Sequence, residues 1–109
     1  MSSSTVSRRF GAASLPGQKF PLGQLVATPG ILELVPRAEL LAAVARHARG
    51  DWGNCCPDDA AENELSLREG FRLFSVYDRS EGQRFWVITE AADDAGNRMA
   101  TTLLLPDEY

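Results

Sequence analysis

The stretch FRLFSVYDRSEGQRFWVITE, residues 71–90, decides the fold. Residues 71–77 and 84–90 are rich in aromatic and β-branched side chains, which favour strands. The polar segment between them, residues 78–82, ends in glycine, which is typical of a hairpin turn. A third apolar run, residues 99–105, follows another polar turn. The sequence therefore predicts an antiparallel meander of three strands.

Three helices are predicted upstream of the meander. Thr28 is a good N-cap and Pro29 suits the first position of a short helix, which Pro36 ends. A second helix is predicted from Arg37 to Ala48, and a third from Pro57 to the stop signal Gly70. The apolar face expected on the second helix consists of Leu40, Leu41, Val44, Ala45 and Ala48.

The N-terminal region divides into a leader and the start of the domain. Residues 1–19 offer few side chains to bury and are interpreted as a flexible leader. Residues 20–109 are expected to form a single domain, beginning with a strand at residues 22–27. Gly23 indicates a close backbone approach or an edge position. The predicted class is α+β, in the order β-α-α-α-β-β-β, with helices covering one face of the meander.

Charge is unevenly distributed along the 109 residues. Residues 1–50 hold six Lys/Arg and two Asp/Glu, whereas residues 51–109 hold five Arg and thirteen acids. A nucleic-acid-binding regulator would have to use the early cations Arg8, Arg9, Lys19 and Arg37. The net charge of −4 disfavours that function.

Composition points to a cytoplasmic protein without a bound cofactor. No run of about 18–20 apolar residues is present, so no membrane span is expected. Cys55 and Cys56 are adjacent and are expected to be free thiols in a reducing compartment. Together with His47 and Asp51 they could supply zinc ligands, but adjacent cysteines do not converge easily on one ion, so no metal site is predicted.

A catalytic reading depends on the only histidine. His47 lies near the edge of the expected apolar face, where it would be partly buried and help to cap the helix. Asp51 follows four residues later and could orient the imidazole, and Glu90 ends a strand. These three residues are the candidates if the chain is a small hydrolase or transferase. No nucleophile motif accompanies them.

Candidate residues for binding a partner lie between positions 51 and 64. Trp52, next to Asp51, is expected to fill a gap between helices and sheet, and the alternative is that both residues form a recognition surface. The acids Asp58, Asp59, Glu62 and Glu64 either form a solvated helix face or dock on a basic surface of another protein. Asn63, if buried, must be hydrogen-bonded, with the loop at residues 50–54 as the expected partner.

Several short motifs together resemble a known family. They are LGQLVATPG (22–30), RH (46–47), GDWG (50–53), EN (62–63), GFRL (70–73), WVITE (86–90) and TTLLLPDEY (101–109). The chain resembles short bacterial proteins of unknown function carried on plasmids, integrative elements and phages, and departs from their pattern at residues 93–100, where the turn looks expanded. The resemblance implies a mobile-element setting and no enzyme activity or ligand.

The function expected from these observations is that of a non-enzymatic accessory protein of a mobile element. It would act by binding a protein through its acidic helix or its open sheet face. The sharpest form of this hypothesis is inhibition of a host defence complex, such as a CRISPR or restriction complex. The catalytic and nucleic-acid-binding functions described above remain the alternatives.

Overall fold

A computed structural model describes residues 15–79 and 82–109 and confirms the α+β class. The strands are β1 (Gln24–Ala27), β2 (Leu73–Asp78), β3 (Arg84–Thr89) and β4 (Ala100–Leu104). The helices are α1 (Pro29–Leu34), α2 (Arg37–Ala48) and α3 (Pro57–Glu69), and a short 3-10 turn covers Pro106–Glu108. None of the helices in the described ranges is long and apolar enough to cross a membrane.

The four strands form one mixed sheet in the order β1-β4-β3-β2. β2 pairs antiparallel with β3, and β3 with β4, whereas β1 joins the far edge parallel to β4. Gly23, just before β1, has φ +67°, and a Cβ there would lie 2.3 Å from the carbonyl oxygen of Arg98. The close backbone approach expected at Gly23 is therefore confirmed.

Two of the predicted helix signals are visible in atomic detail at the start of α1 and at the end of α3. The Thr28 hydroxyl accepts the backbone N–H of Ile31 at 3.4 Å, with Pro29 at the start of α1. α3 ends at Gly70, which adopts a left-handed conformation with φ +84°. Glycine adopts this conformation without the steric cost of a Cβ, which is why the helix can end there.

The core lies on one face of the sheet, under α1 and α2. Alternate strand residues such as Leu73, Val87 and Leu103 point into it. The predicted face of α2 is displaced by about one position: Leu41 is 40% exposed, and His47 is completely buried. The buried residues of this helix follow the i, i+3, i+4, i+7, i+8 spacing of a single stripe: Leu40, Ala43, Val44, His47 and Ala48.

Residues 15–19, which the sequence assigns to the leader, pack against the domain. Leu15 contacts the core, and the backbone N–H of Lys19 donates to the Ala48 carbonyl at 2.9 Å. The Gln18 side chain accepts from the Leu15 N–H and donates to the Phe20 carbonyl, both at 2.8 Å. These contacts form a local turn at residues 15–18 that lies against α2 in the structure. The rest of the predicted leader, residues 1–14, lies outside the described residues.

The outer edge of β2 is closed by side-chain and loop contacts. The Asn63 amide of α3 donates to the Phe74 carbonyl at 2.6 Å and accepts the Phe74 N–H at 2.9 Å. The loop before α3 binds Val76, the next residue whose backbone groups face this edge. The Val76 N–H donates to the Trp52 carbonyl, and the Val76 carbonyl accepts from the Asn54 N–H. An unpaired strand edge invites addition of another strand, and these contacts occupy that edge at Phe74 and Val76.

Candidate functional site

His47 is part of a buried chain of hydrogen bonds and does not lie at the surface. Its Nδ1 is 2.6 Å from Oγ of Ser75, and its Nε2 is 2.9 Å from Oγ1 of Thr89. Oγ1 of Thr89 is 2.7 Å from Oγ1 of Thr101, whose hydroxyl donates to the Leu22 carbonyl at 2.7 Å. The expectation of a partly buried capping histidine is therefore wrong: its ring bonds α2 to β2 and β3, and Thr89 extends the chain to β4.

The carbonyl at the end of this chain fixes the direction of three of its hydrogen bonds. A carbonyl only accepts, so Thr101 donates to Leu22 and must accept from Thr89. Thr89 in turn accepts from Nε2–H of His47. Burial, with a smaller effect from the charge of Arg98, lowers the pKa of His47 to about 3, so the imidazole is neutral near pH 7 and its Nδ1 accepts from Ser75.

The three catalytic candidates are not assembled into one site. The Asp51 carboxylate binds Nε of Arg46 at 2.8 Å and accepts the Gly53 N–H at 3.1 Å, so it does not orient His47. The bond from Arg46 holds the pKa of Asp51 below its ordinary value. Glu90 is solvent-exposed beyond the end of β3, whereas His47 has no exposed surface. A substrate therefore cannot reach the imidazole in this structure.

The cysteines do not form a metal site with their neighbours. Cys55 is half-buried, and its Sγ donates to the Phe74 carbonyl at 3.2 Å, while Cys56 is exposed. Burial raises the pKa of the Cys55 thiol, which makes it less reactive. Within residues 15–79 and 82–109, His, Cys, Asp and Glu side chains nowhere gather in a group of three or more that could hold a metal ion.

Trp52 fills the interior position expected of a packing residue. Its ring stacks on Phe20 at 6.4 Å and meets His47 edge-on at 5.8 Å. Its indole N–H donates to the Glu64 carboxylate at 2.9 Å, and the residue is 7% exposed. Trp52 and Glu64 are thus engaged with each other, and Trp52 presents almost no surface to a partner. Asn63 binds the backbone of β2, not the loop that the sequence suggested.

A groove of about 590 Å³ lies between α3 and the outer face of the sheet. Phe74, Trp86 and Ile88 point away from the core and form its floor. The rings of Phe74 and Trp86 are 5.1 Å apart at 78°, and those of Trp86 and Tyr109 are 5.6 Å apart at 69°. Phe71 and Tyr109 also line the groove and are 53% and 68% exposed. These side chains form an aromatic surface that is open to solvent.

Two of the predicted partner-binding acids line the groove. Asp59 and Glu62 lie three residues apart on the exposed side of α3, and their carboxylates make no hydrogen bond or ion pair with any described residue. Asp58 is also exposed but lies outside the groove lining. Of the acids on α3, therefore, Asp59 and Glu62 line the groove, and the others lie outside it.

The C-terminal tail completes the groove by holding Tyr109 in place. The Glu108 carboxylate accepts the Thr28 hydroxyl at 2.5 Å, the Gly30 N–H at 3.0 Å and the Leu105 N–H at 2.9 Å. Burial raises the pKa of Glu108, but these three donors outweigh it, and the pKa falls below its ordinary value. Because Tyr109 follows directly, this attachment fixes where its ring meets Trp86.

Sequence reasoning missed Arg98 and the groove. Arg98 is 6% exposed and donates to three backbone carbonyls: Phe71 at 2.7 Å, Glu90 at 2.9 Å and Ser66 at 3.2 Å. It thereby ties the end of α3 to the segment before β2 and to the end of β3, and no spacing in the sequence signals this. The groove did have a signal, since Phe74, Trp86 and Ile88 occupy the positions that alternate with the core residues of β2 and β3.

The structure does not show the four cations proposed for nucleic-acid binding side by side on one surface. Arg8 and Arg9 lie outside the described residues. The Lys19 side chain lies beside Gly50, and Arg37 begins α2.

Comparison of the chain with protein-family models, with curated proteins and with solved structures gives no match.

Proposed function

We propose that the protein is a non-enzymatic accessory protein that acts by binding another protein through the groove between α3 and the sheet. The observation that carries this proposal is the coincidence of four aromatic side chains with two unpaired carboxylates in one open groove. Aromatic residues are enriched at the energetic centres of protein interfaces, where they bury large areas at little entropic cost. Exposed aromatics of this kind otherwise reduce solubility.

The groove supports a binding function better than the buried histidine supports catalysis. General acid–base catalysis needs a titratable group within reach of substrate, with a pKa near the working pH. His47 has both nitrogens occupied, no exposed surface and a pKa lowered to about 3. No contact in the described residues favours the hydrolase or transferase alternative.

The way in which a partner docks also follows from the contacts. Addition of a strand at β2 is blocked, because Asn63 and the loop before α3 already occupy its outward-facing groups at Phe74 and Val76. The groove beside this edge is open and presents side chains. At this side of the molecule the partner is therefore recognised through side-chain packing and charge, and not through a strand added to β2.

Charge reversal within one helix tests the proposal. The double variant Asp59→Lys/Glu62→Lys changes the groove, and Asp58→Lys/Glu69→Lys makes the same change of charge on α3 outside the groove. Tagged wild type should co-purify at low salt with one defined protein from its native host. The groove variant should lose that protein and the control should keep it. Retention by both variants would contradict the proposal.

The resemblance to proteins of plasmids and phages motivates the sharper form of the proposal, in which the bound protein belongs to a host defence complex in the cytoplasm. Expression in a host with an active CRISPR or restriction system should then raise the plating efficiency of a targeted phage. The groove variant should abolish the increase. A host lacking the defence system is the control, and an equal increase there would contradict a role against defence.

A further inference from the structure

We infer that the groove accepts a cationic side chain, an arginine or a lysine, from an extended segment of the protein partner. This inference rests on the proposed function and adds the chemistry of the occupant. It is carried by the angles between the rings, by the two unpaired carboxylates and by a guanidinium that the groove already holds against one of its aromatics.

The aromatic rings of the groove meet edge to face and are not stacked on one another. Phe74, Trp86 and Tyr109 follow one another at interplanar angles of 78° and 69°. Rings at such angles leave a corner in which a cation can meet the electron-rich face of one ring while it touches the edge of the next. A cation within about 6 Å of a ring centroid is attracted by the ring quadrupole, most strongly by tryptophan. A purely apolar side chain gains nothing from this geometry beyond its buried area.

The charge of the lining has the sign that a cation requires. Asp59 and Glu62 contribute two carboxylates that no described side chain neutralises. The only cationic side chain among the residues that line the groove in the described chain is Arg72, which is already engaged. A neutral or anionic segment would bury one or both carboxylates without compensation, which is costly.

Arg72 shows within the chain how the groove holds a guanidinium. Its Nη1 donates to the Tyr109 hydroxyl at 2.9 Å, and its guanidinium carbon lies 5.8 Å from the centroid of the same ring. A second cation, from the partner, would occupy the corner at Trp86 and reach the carboxylates of α3. The occupant is therefore a segment with a cation next to an apolar residue, which can cover Ile88 and Phe74.

Two-dimensional ¹H–¹⁵N NMR of the full chain tests this directly, because the chain has two tryptophans. The Trp86 indole lies in the groove, whereas the Trp52 indole donates to Glu64 in the interior and serves as the internal control. The probes are the capped peptides Gly-Leu-Arg-Leu-Gly and Gly-Leu-citrulline-Leu-Gly. Citrulline keeps the shape of arginine and removes its charge. The variant Trp86→Phe assigns the two indole signals.

The arginine peptide should shift the Trp86 signal and leave the Trp52 signal in place. Its affinity should exceed that of the citrulline peptide about tenfold at low salt, a difference that corresponds to about 1.4 kcal/mol, and the difference should shrink as salt is added. Asp59→Asn/Glu62→Gln should remove most of the preference. Asp58→Asn, outside the groove, should preserve it.

The outcomes separate this inference from the proposed function. Equal binding of both peptides, or no shift of Trp86 by the arginine peptide, overturns the cationic occupant. Co-purification that still depends on the groove acids would then leave the docking function standing. Ethylguanidinium alone binding as tightly as the arginine peptide would assign the site to a free small cation and overturn a protein segment. Loss of groove dependence in co-purification overturns the proposed function itself.

Discussion

Nε2 of His47 lies 2.9 Å from Oγ1 of Thr89, and this bond joins helix α2 to the centre of the sheet. It belongs to a chain of hydrogen bonds that runs from Ser75 to the Leu22 carbonyl. A buried polar group costs free energy unless it is paired, so each link makes the native packing more specific than an apolar contact would. The histidine that composition singles out as a catalytic candidate is a structural residue in this arrangement.

Acid should destabilise the fold through His47. Its pKa is lowered to about 3 in the folded chain, against a usual value of 6.5, so the unfolded chain binds the proton more readily. The stability is complete above pH 6.5 and is lost as the pH falls below it, by up to about 1.4 kcal/mol per pH unit. Urea unfolding between about pH 6.5 and 5.5 measures this slope. This range lies above the ordinary pKa values of Asp51 (3.8) and Glu108 (4.5), below which their own lowered pKa values would add a further loss of stability.

The variant His47→Gln provides the control for the acid effect. It should be less stable at pH 7, because glutamine cannot reproduce both hydrogen bonds, but its stability should change little over the same pH range. An equally steep slope in this variant would show that another group causes the loss.

Removal of the last hydroxyl of the chain should also be costly. Thr101→Val keeps the shape but leaves the Leu22 carbonyl without a donor and the Thr89 hydroxyl proton without an acceptor, at a cost of about 1–3 kcal/mol. Thr102→Val, on the adjacent outward-facing position of β4, should change stability by less than about 0.5 kcal/mol. Chemical denaturation of both variants checks this, and equal effects would contradict the assigned chain.

Gly53 should tolerate no side chain. It has φ +70°, and a Cβ there would lie 2.0 Å from the Val76 carbonyl oxygen, inside the contacts that close the edge of β2. Gly96 has φ +87° with nothing within 4 Å of the added Cβ. Gly96→Ala should therefore lose only the free energy that an L-residue loses in a left-handed backbone conformation. Gly53→Ala should lower the free energy of unfolding by about 2 kcal/mol more, because it breaks two edge hydrogen bonds. Similar values for both variants would exclude this role of the loop.

Arg98→Lys should strongly destabilise the fold although it retains the positive charge. A lysine ammonium cannot reproduce the planar fork that reaches Ser66, Phe71 and Glu90, and a buried carbonyl left unpaired costs about 1–3 kcal/mol. Arg84→Lys, in the exposed pair with Asp78, should cost less than about 1 kcal/mol. Thermal unfolding of the two variants compares them, and an Arg98→Lys protein as stable as wild type would refute the bracing role.

Local signals in the sequence are sufficient to predict where the helices and strands lie. The Thr28-Pro29 start, the Gly70 stop and the polar turns of the meander act through the backbone of their own neighbourhood. The place of β1 in the sheet could not be predicted from the sequence, because its parallel pairing with β4 joins residues far apart in the chain, such as Gln24 and Ala100. The phase of α2 was misjudged for a chemical reason: a histidine on the buried stripe counts as polar until its hydroxyl partners on β2 and β3 are known.

The candidate site was only partly accessible to sequence reasoning. Asp59 and Glu62 were identified as partner-binding candidates, but so were Asp51, Trp52 and Glu64, which are engaged with other side chains. The residues that line the groove can be told apart from those engaged elsewhere only when the packing of α3 along β2 is known. The aromatic lining was hidden because Trp86 and Phe74 were interpreted as ordinary strand residues.

The central claim is that the groove is where the protein meets its partner, and site-specific photocrosslinking in the native host tests it most directly. A benzophenone amino acid is placed at Phe71, in the groove, or at Met99, which is 82% exposed but outside it. We expect the crosslinker at position 71 to give one covalent protein adduct, and the crosslinker at position 99 to give none. The adduct from position 71 should disappear when the same chain also carries Asp59→Lys/Glu62→Lys. The same adduct from both positions, or one from position 99 alone, would contradict the account.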